Sequence, residues 1–555
     1  MTGSLLSPDV RGRLGRGVGM TVVLATLGAG ATSVQAFSID TGSQDISMRL
    51  DTSLRYNAGW RLGEQNDRFA NHPSYHETEG TFDRGDMVLN RVDVMSQFDL
   101  VYQGRHGVRV SGSGWYDHVY RDGPKGNPAF GSGYNGDYRG NADRFHHGPS
   151  GELLDAFVFT GFDLGDASAD FRIGQHNLFW GESLFNTSHG IAYAQGPLDG
   201  LKAASSPGST AQELFLPVSQ VSAQLQLNHH WSFGAQYYLD WRANRLPEGG
   251  TYFGSSDMLW KAPVHMNLGP VTAPRGRDYE GEKGGFGLFA RWQPEFLNGS
   301  TVGLYYRRFD ETQPWGPVFR VDQASGNIED FHLAHARDTE LYGLSLATTV
   351  AGWSVGSEVI YRHNTALVSE SNFSLAGDFR GREGARGNSL HFLLNGVYLM
   401  PKTPLWVTGS LQAEIVYSHL LDVTQNEEVF RHEDYACAAD GRGKRDGCTT
   451  DDVVLVQVGF TPEWPNVLPG TKLGMPISAS YGVYGNGATL GGGNEGAYTW
   501  SVGINATYRN RHKASLKYNQ SYARYTRNGD LVQNVSGNAV QNDHNWLSLS
   551  LETSF

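Results

Sequence analysis

Apolar and polar residues alternate along most of the chain. In "ISMRLDTSLRYN" (46–57), Ile46, Met48, Leu50, Thr52, Leu54 and Tyr56 fall on one side, with Ser47, Arg49, Asp51, Ser53, Arg55 and Asn57 on the other. A period of two marks an extended strand with one apolar and one polar face. Similar segments recur at 88–103, 107–119, 153–164, 168–176, 216–228, 231–242, 284–294 and 299–310. They continue at 339–350, 352–364, 388–401, 404–419, 452–462, 474–486, 497–509, 512–525 and 544–555. Most are close to the ~10 residues of a tilted strand crossing a bilayer. About eighteen strands are expected, with sixteen to twenty if a hairpin is split or fused.

The links between them alternate in length. "QGRH" (103–106), "GDA" (165–167), "HH" (229–230), "PEFL" (294–297), "AG" (351–352), "PKT" (401–403) and "NRH" (510–512) read as tight turns. The links at 59–87, 120–152, 177–215, 243–283, 311–338, 365–387, 420–451 and 526–543 are long and rich in Gly, Asp, Asn and Pro. "TPEWPNVLPGT" and "GNGATLGGGNEG" are intermediate. One rim of short turns and one of long loops is the asymmetry of an outer-membrane barrel. A soluble sandwich or propeller has no reason to sort its loops this way, and no fixed-period repeat supports a propeller. The expected fold is all-β, a single transmembrane antiparallel β-barrel over 37–555.

Composition narrows this. Mean hydropathy is -0.41, and hydrophobic residues make up 39 %. After the first forty residues no apolar run approaches the ~20 residues of a membrane helix. Arg11, Arg13 and Arg16 precede an apolar stretch reaching Val34, and "SVQA" ends at Ala36. This is the pattern of a cleaved export signal over 1–36. Losing three arginines and Asp9 takes the net charge from -13 to -15, so nucleic acid is not expected as a partner. The two cysteines, Cys437 and Cys448, stand in a Gly- and charge-rich stretch of an exported chain and should form one loop-pinning disulfide. The final "WLSLSLETSF" alternates and ends in Phe555, resembling the signal read by the barrel insertion machinery. An outer-membrane location in a Gram-negative cell follows, with membrane lipids and lipopolysaccharide as surroundings.

"RVDVMSQFDLVYQGRHGVRVSGSGWYDHVY" (91–120), "ELLDAFVF" (152–159), "GQHNLFWGESLF" (174–185) and "LKAASSPGSTAQELFLPVSQVSAQLQL" (201–227) resemble a proteobacterial family catalogued only as a domain of unknown function. The resemblance covers most of the chain after the signal. It implies an exported barrel, of a kind considered alongside transport of hydrophobic compounds, and brings no established activity or site residues.

Strand parity nominates the lumen. Arg49, Asp51, Arg55, Arg91, Asp93, Asp99, Asp170, Arg172, Glu358, Arg362, Glu414, Lys517 and Glu552 belong on inward faces. Both signs occur in similar numbers, so interstrand ion pairs are expected in place of a single-sign funnel. The long link at 177–213 is unusually apolar for a water-facing loop, with Leu178, Phe179, Trp180, Leu184 and Phe185. It is expected to fold inward, with Gln175, His176, Trp180, Glu182 and Lys202 lining a constriction. "PLDGLKAASSPG" should form a short helix ended by Pro207–Gly208.

Other motifs carry little. "GGGNEG" (491–496) lies between strands and opens no helix, which argues against a dinucleotide site. His146, His147, Asp330, His332 and His335 lie in long links without a ligand pattern, and neither metal nor cofactor is expected. No G-x-S-x-G elbow is present. The reading that follows is a channel passing small molecules, hydrophobic or amphipathic, through a partly constricted lumen. Its rivals are a lipid hydrolase or acyltransferase on the barrel wall, and a surface scaffold or adhesin acting through its loops.

Overall fold

The computed structural model describes residues 37–206, 214–268, 271–297, 299–375 and 383–555; the export signal expected over 1–36 lies outside the described residues. The wall begins with β1 (Ile46–Arg61), β2 (Met87–Tyr102), β3 (His106–Asp117), β4 (Ser150–Leu164), β5 (Ala167–His176) and β6 (Val218–Gln226). It continues through β7 (Trp231–Tyr238), β8 (Phe286–Trp292), β9 (Thr301–Phe309), β10 (Thr339–Val350), β11 (Trp353–Ala366) and β12 (Arg386–Leu399). It ends with β13 (Thr408–Gln425), β14 (Asp452–Leu468), β15 (Thr471–Gly474, continued by Ile477–Tyr484), β16 (Tyr498–Tyr508), β17 (His512–Tyr522) and β18 (Trp546–Ser554). Each strand pairs antiparallel with the next, and β18 pairs back onto β1 from Ser53↔Ser554 to Arg61↔Trp546. The barrel is closed, so the wall has no free edge.

The seam is completed below the end of β18. Phe37–Ile39 pairs with Met48–Leu50 of β1, and Phe555 N–H donates to the Thr52 carbonyl at 2.8 Å. Two expected boundaries move. β13 runs on to Gln425, and "TPEWPNVLPGT" is not a loop but the end of β14 and the tight turn at Pro469–Gly470. Pro462 is tolerated opposite Gly409, and the ladder becomes irregular between Trp464 and Leu468, where a proline's missing donor costs least.

Parity then separates two surfaces. Leu304, Leu344, Val359 and Phe392 lie directly opposite one another across β9 to β12 and are exposed. Their neighbours Gly303, Ser345, Glu358 and Leu393 face inward along the same rungs. A closed wall whose outer face exposes leucine, valine and phenylalanine satisfies its backbone internally and suits a lipid surround. No helix among the described residues is long and apolar enough to cross a membrane. The disulfide Cys437–Cys448 pins the loop between β13 and β14.

The long loops pack over one end of the barrel around Phe82, Tyr120, Tyr134, Tyr138, Tyr252 and Trp546. Asp257 is buried in this cap, where its carboxylate accepts the N–H groups of Glu77 and Thr78 at 2.9 and 2.7 Å. Burial, followed by the charge of Glu77, raises its pKa to about 7. The neighbouring His76 is lowered to about 4 by burial, so it supplies no compensating charge near neutrality.

Leu304→Arg should cost about 2–4 kcal/mol of barrel stability if Leu304 sits near the bilayer midplane, read by urea unfolding in lipid vesicles. Because Asp257 is raised above its unfolded value, its stabilising contribution is fully present below pH 4 and is lost as pH climbs towards 7. Exchange protection of the loops at 62–86 and 239–285, corrected for intrinsic rates, should therefore be higher at pH 5 than at pH 8 by about one to two orders of magnitude.

Candidate functional site: a strap across the barrel

An eighteen-stranded barrel encloses a lumen too wide for wall side chains to fill. Here the chain after β5 enters it. Residues 177–206 run from one wall to the other as a strap held at both ends.

The first end hangs from two carboxylates on inward faces. Glu358 of β11 accepts the backbone N–H groups of Glu182, Ser183 (3.0 Å) and Ile191 (2.7 Å). Glu414 of β13 accepts those of Leu184 (2.7 Å), Phe185 (3.2 Å) and Asn186 (2.6 Å), and the Asn186 side-chain amide at 2.8 Å. Arginines take the opposite poles of the same backbone. Arg307 of β9 donates to the carbonyls of Ile191 and Tyr193 at 3.0 and 2.6 Å, and Arg362 of β11 donates to that of Ser188. Charged partners make such bonds about twice as strong as neutral ones, and they satisfy irregular backbone that would otherwise be buried unpaired.

Packing fixes the depth. Trp180, Ile191 and Tyr193 join Phe289, Tyr305, Leu341 and Ile360 of the inner wall in one buried cluster. Two wall glycines make room for them. A Cβ at Gly287 would lie 2.8 Å from the Trp180 ring, and one at Gly343 would lie 2.7 Å from Ile191. His189 sits with its Nδ1 3.0 Å from Nδ1 of His391. Burial, then the Arg362 charge, lowers the His189 imidazole to about 3, so it stays neutral.

The second end meets the other side. A short helix, Gly200–Ser205, is capped by Asp199, whose side chain accepts the Lys202 N–H; Pro207–Gly208 lie outside the described residues. Arg245 joins Asp199 to Glu152 of β4 at 2.6 Å each, and Lys202 lies 3.9 Å from Glu152. Ser206 Oγ accepts from Asn57 of β1 at 3.0 Å. This end meets β1 and β4, which stand about eight and nine places from β11 and β13 respectively around the closed wall, so the strap spans the lumen.

The residues nominated from parity fall into groups. Glu358, Arg362 and Glu414 hold the strap. Arg55 pairs with Glu552 across the seam at 2.7 Å, and Asp99 with Arg109 across β2 and β3 at 2.6 Å. Arg91 and Asp93 pair within one strand at 2.9 Å, and Arg49 with Asp51 at 2.6 Å, the latter on an exposed rim. Those two pairs are not the interstrand ladders expected. His176 is buried and bonded to Ser222 at 2.8 Å. Glu182, half-buried and raised by burial, receives the Ser345 hydroxyl at 3.5 Å. Trp180 is 4 % exposed; it anchors the strap and gives one edge to the cavity on the short-turn side. Gln175 is a correction: it lies opposite Ala156, in phase with the exposed Ile173 and Phe171, and faces outward. Arg307 was not singled out, although "YYRRF" must put one arginine on each face in any register.

Cavities lie on both sides of the strap. Arg109, Arg172, Asp170 and Trp180 border one of about 430 Å³ towards the short-turn rim. Trp241, Arg242, Trp260 and His335 border one of about 260 Å³ beneath the long loops. Between them stands a hydrogen-bonded bolt. Gln195 receives the Trp180 N–H at 2.7 Å and donates to Gln236 at 3.0 Å, while Tyr238 Oη donates to the Gln195 carbonyl at 2.7 Å. Among the described residues no group of three or more His, Cys, Asp or Glu side chains could hold a metal ion.

Residues 18–555 match the family described as "Protein of unknown function (DUF1302)", and the chain belongs to it. No curated protein matches the chain. Among solved structures it is similar to the outer membrane channel DcaP of Acinetobacter baumannii, at 10 % identity over 94 % of this chain and 100 % of that one, with a TM-score of 0.35. OccAB4 of Acinetobacter baumannii is 10 % identical over 92 % and 99 %, with a TM-score of 0.40. OccD3 (OpdP) of Pseudomonas aeruginosa is 11 % identical over 92 % and 91 %, with a TM-score of 0.38.

Replacing both clamps, Glu358→Ala with Glu414→Ala, strands six backbone N–H groups. Amides of 182–191 should then exchange at least about tenfold faster, while those of β14 to β17 stay unchanged; equal protection in both proteins would show that the carboxylates do not hold the strap.

Proposed function

We propose that this member of the family is an outer-membrane channel, closed at rest by its own strap, that passes small amphipathic or hydrophobic molecules without energy coupling. The observation that carries the reading is the strap itself. A segment tied by charged side chains to opposite walls, with a cavity on either side, is built to block a lumen and not merely to stiffen it. The barrel would meet lipid and lipopolysaccharide on its apolar belt. The strand ending in Phe555 would present it to the insertion machinery. The cavities mix arginine with aromatic and aliphatic walls, which favours a solute with one charged or polar end over a simple ion.

In planar bilayers the intact protein should give small or rare conductance steps, and the Glu358→Ala, Glu414→Ala variant steps several-fold larger. If neither protein conducts while the barrel remains folded, the channel reading fails.

A further inference from the structure

The cavity of about 260 Å³ under the long loops is more specialised than a passage needs to be. The indoles of Trp241 and Trp260 and the ring of Phe145 supply its apolar wall, and Arg242, Lys261 and His335 its polar one. Glu280 borders both this cavity and an outer one of about 490 Å³ that carries Arg277, Arg320 and Arg337.

The acids present are already committed. One oxygen of Glu248 accepts three backbone N–H groups, those of Trp260, Lys261 and Ala262, at 3.2, 2.8 and 2.8 Å. Glu280 pairs with Lys261 at 3.2 Å. Both oxygens of Glu152 are gripped by Arg245, at 3.0 and 2.6 Å. Arg242 is left undersupplied. Among the described residues its guanidinium makes one hydrogen bond, to the Pro217 carbonyl at 3.2 Å, and its ion pair with Glu152 spans 3.8 Å. With its side chain 31 % exposed, it offers a planar fork whose other donors have no hydrogen-bond partner among the described residues, a geometry suited to a carboxylate.

His335 adds a second unfilled group. It is fully buried, with its ring 4.7 Å from that of Trp241. Its Nδ1 lies 3.0 Å from the Glu311 carbonyl and donates to it, which leaves Nε2 as an acceptor. That Nε2 has no partner among the described residues. Burial lowers the imidazole to about 4, so it does not become a donor near neutral pH. A buried acceptor without a partner is costly, and a hydroxyl would satisfy it.

We infer that this cavity binds a small amphipathic organic acid, its carboxylate on Arg242, its apolar body against Trp241 and Trp260, and a hydroxyl donating to His335 Nε2. The volume matches roughly eight or nine waters of liquid, which restricts the occupant to a one-ring or short-chain acid. The inference rests on the channel reading for its purpose and deepens it by naming a substrate class. The cavity shares Trp241 and Arg242 with a narrow gap of about 20 Å³ bordered by Gln195 and Tyr238 of the bolt, so a bound acid would wait directly above the closure.

The test is calorimetric titration of the full barrel in detergent with 4-hydroxyphenylacetate, its primary amide, and phenylacetate. The hydroxy acid should bind saturably, and the amide at least about tenfold more weakly. Phenylacetate should be weaker by several-fold. Arg242→Gln should bring the acid down to the level of the amide, and His335→Phe should erase the difference between the two acids, with the heat-modifiable gel shift of the folded barrel retained in both. Equal binding of acid and amide by the unmodified protein, no saturable binding of the acid, or unchanged binding by Arg242→Gln overturns the site. Binding is read without transport, so the two readings fail separately. A conducting barrel that ignores the acid defeats the site alone, and a binding barrel that never conducts defeats the channel alone.

Discussion

Two glutamates on neighbouring parts of the inner wall, Glu358 and Glu414, hold six backbone N–H groups of one loop, and much else follows from that. A loop carried into a lumen must satisfy its own peptide groups, because irregular backbone cannot pair with itself. Carboxylates for the N–H groups and Arg307 and Arg362 for the carbonyls solve the problem with charge-assisted bonds. Once the strap is fixed, the apolar side chains that would be a liability outside become a small core with Phe289, Tyr305 and Ile360. The glycines at 287 and 343 then make sense as openings in the wall for Trp180 and Ile191.

The wall was legible because alternation is a physical requirement of a strand between lipid and water. All eighteen strands stand near the segments read from periodicity. Where boundaries moved, as in "TPEWPNVLPGT", proline signalled a break that the end of the ladder absorbs. The inward parity of Glu358, Arg362 and Glu414 was equally readable. Their task was not, since their partners are peptide groups some 170 to 230 positions away, and a peptide group leaves no mark in a sequence. Gln175 was misplaced because its nomination came from belonging to a polar, aromatic stretch and not from phase; the exposed Phe171 and Ile173 put it on the outer face. The anchoring of Trp180 in the wall was not readable, because the glycine that receives it, Gly287, lies on another strand.

The strap also orders the space around it. It separates an arginine-bordered cavity on the short-turn side from a vestibule of tryptophan, arginine and histidine under the loops. The Gln195, Gln236 and Tyr238 bonds form the division between them. On the proposed reading, selectivity and closure fall to different residues: Arg242 and His335 above, the clamps and the bolt below. Such a separation would let a closed lumen hold a solute without passing it.

The measurement that bears most directly on this account is single-channel conductance of a barrel in which residues 182–205 are replaced by a short Gly/Ser linker, compared with the intact protein under the same salt and voltage. If the strap is the closure, the shortened barrel should stay heat-modifiable and show large, persistent open steps where the intact one shows small or rare ones. Identical conductance in the two proteins would contradict it.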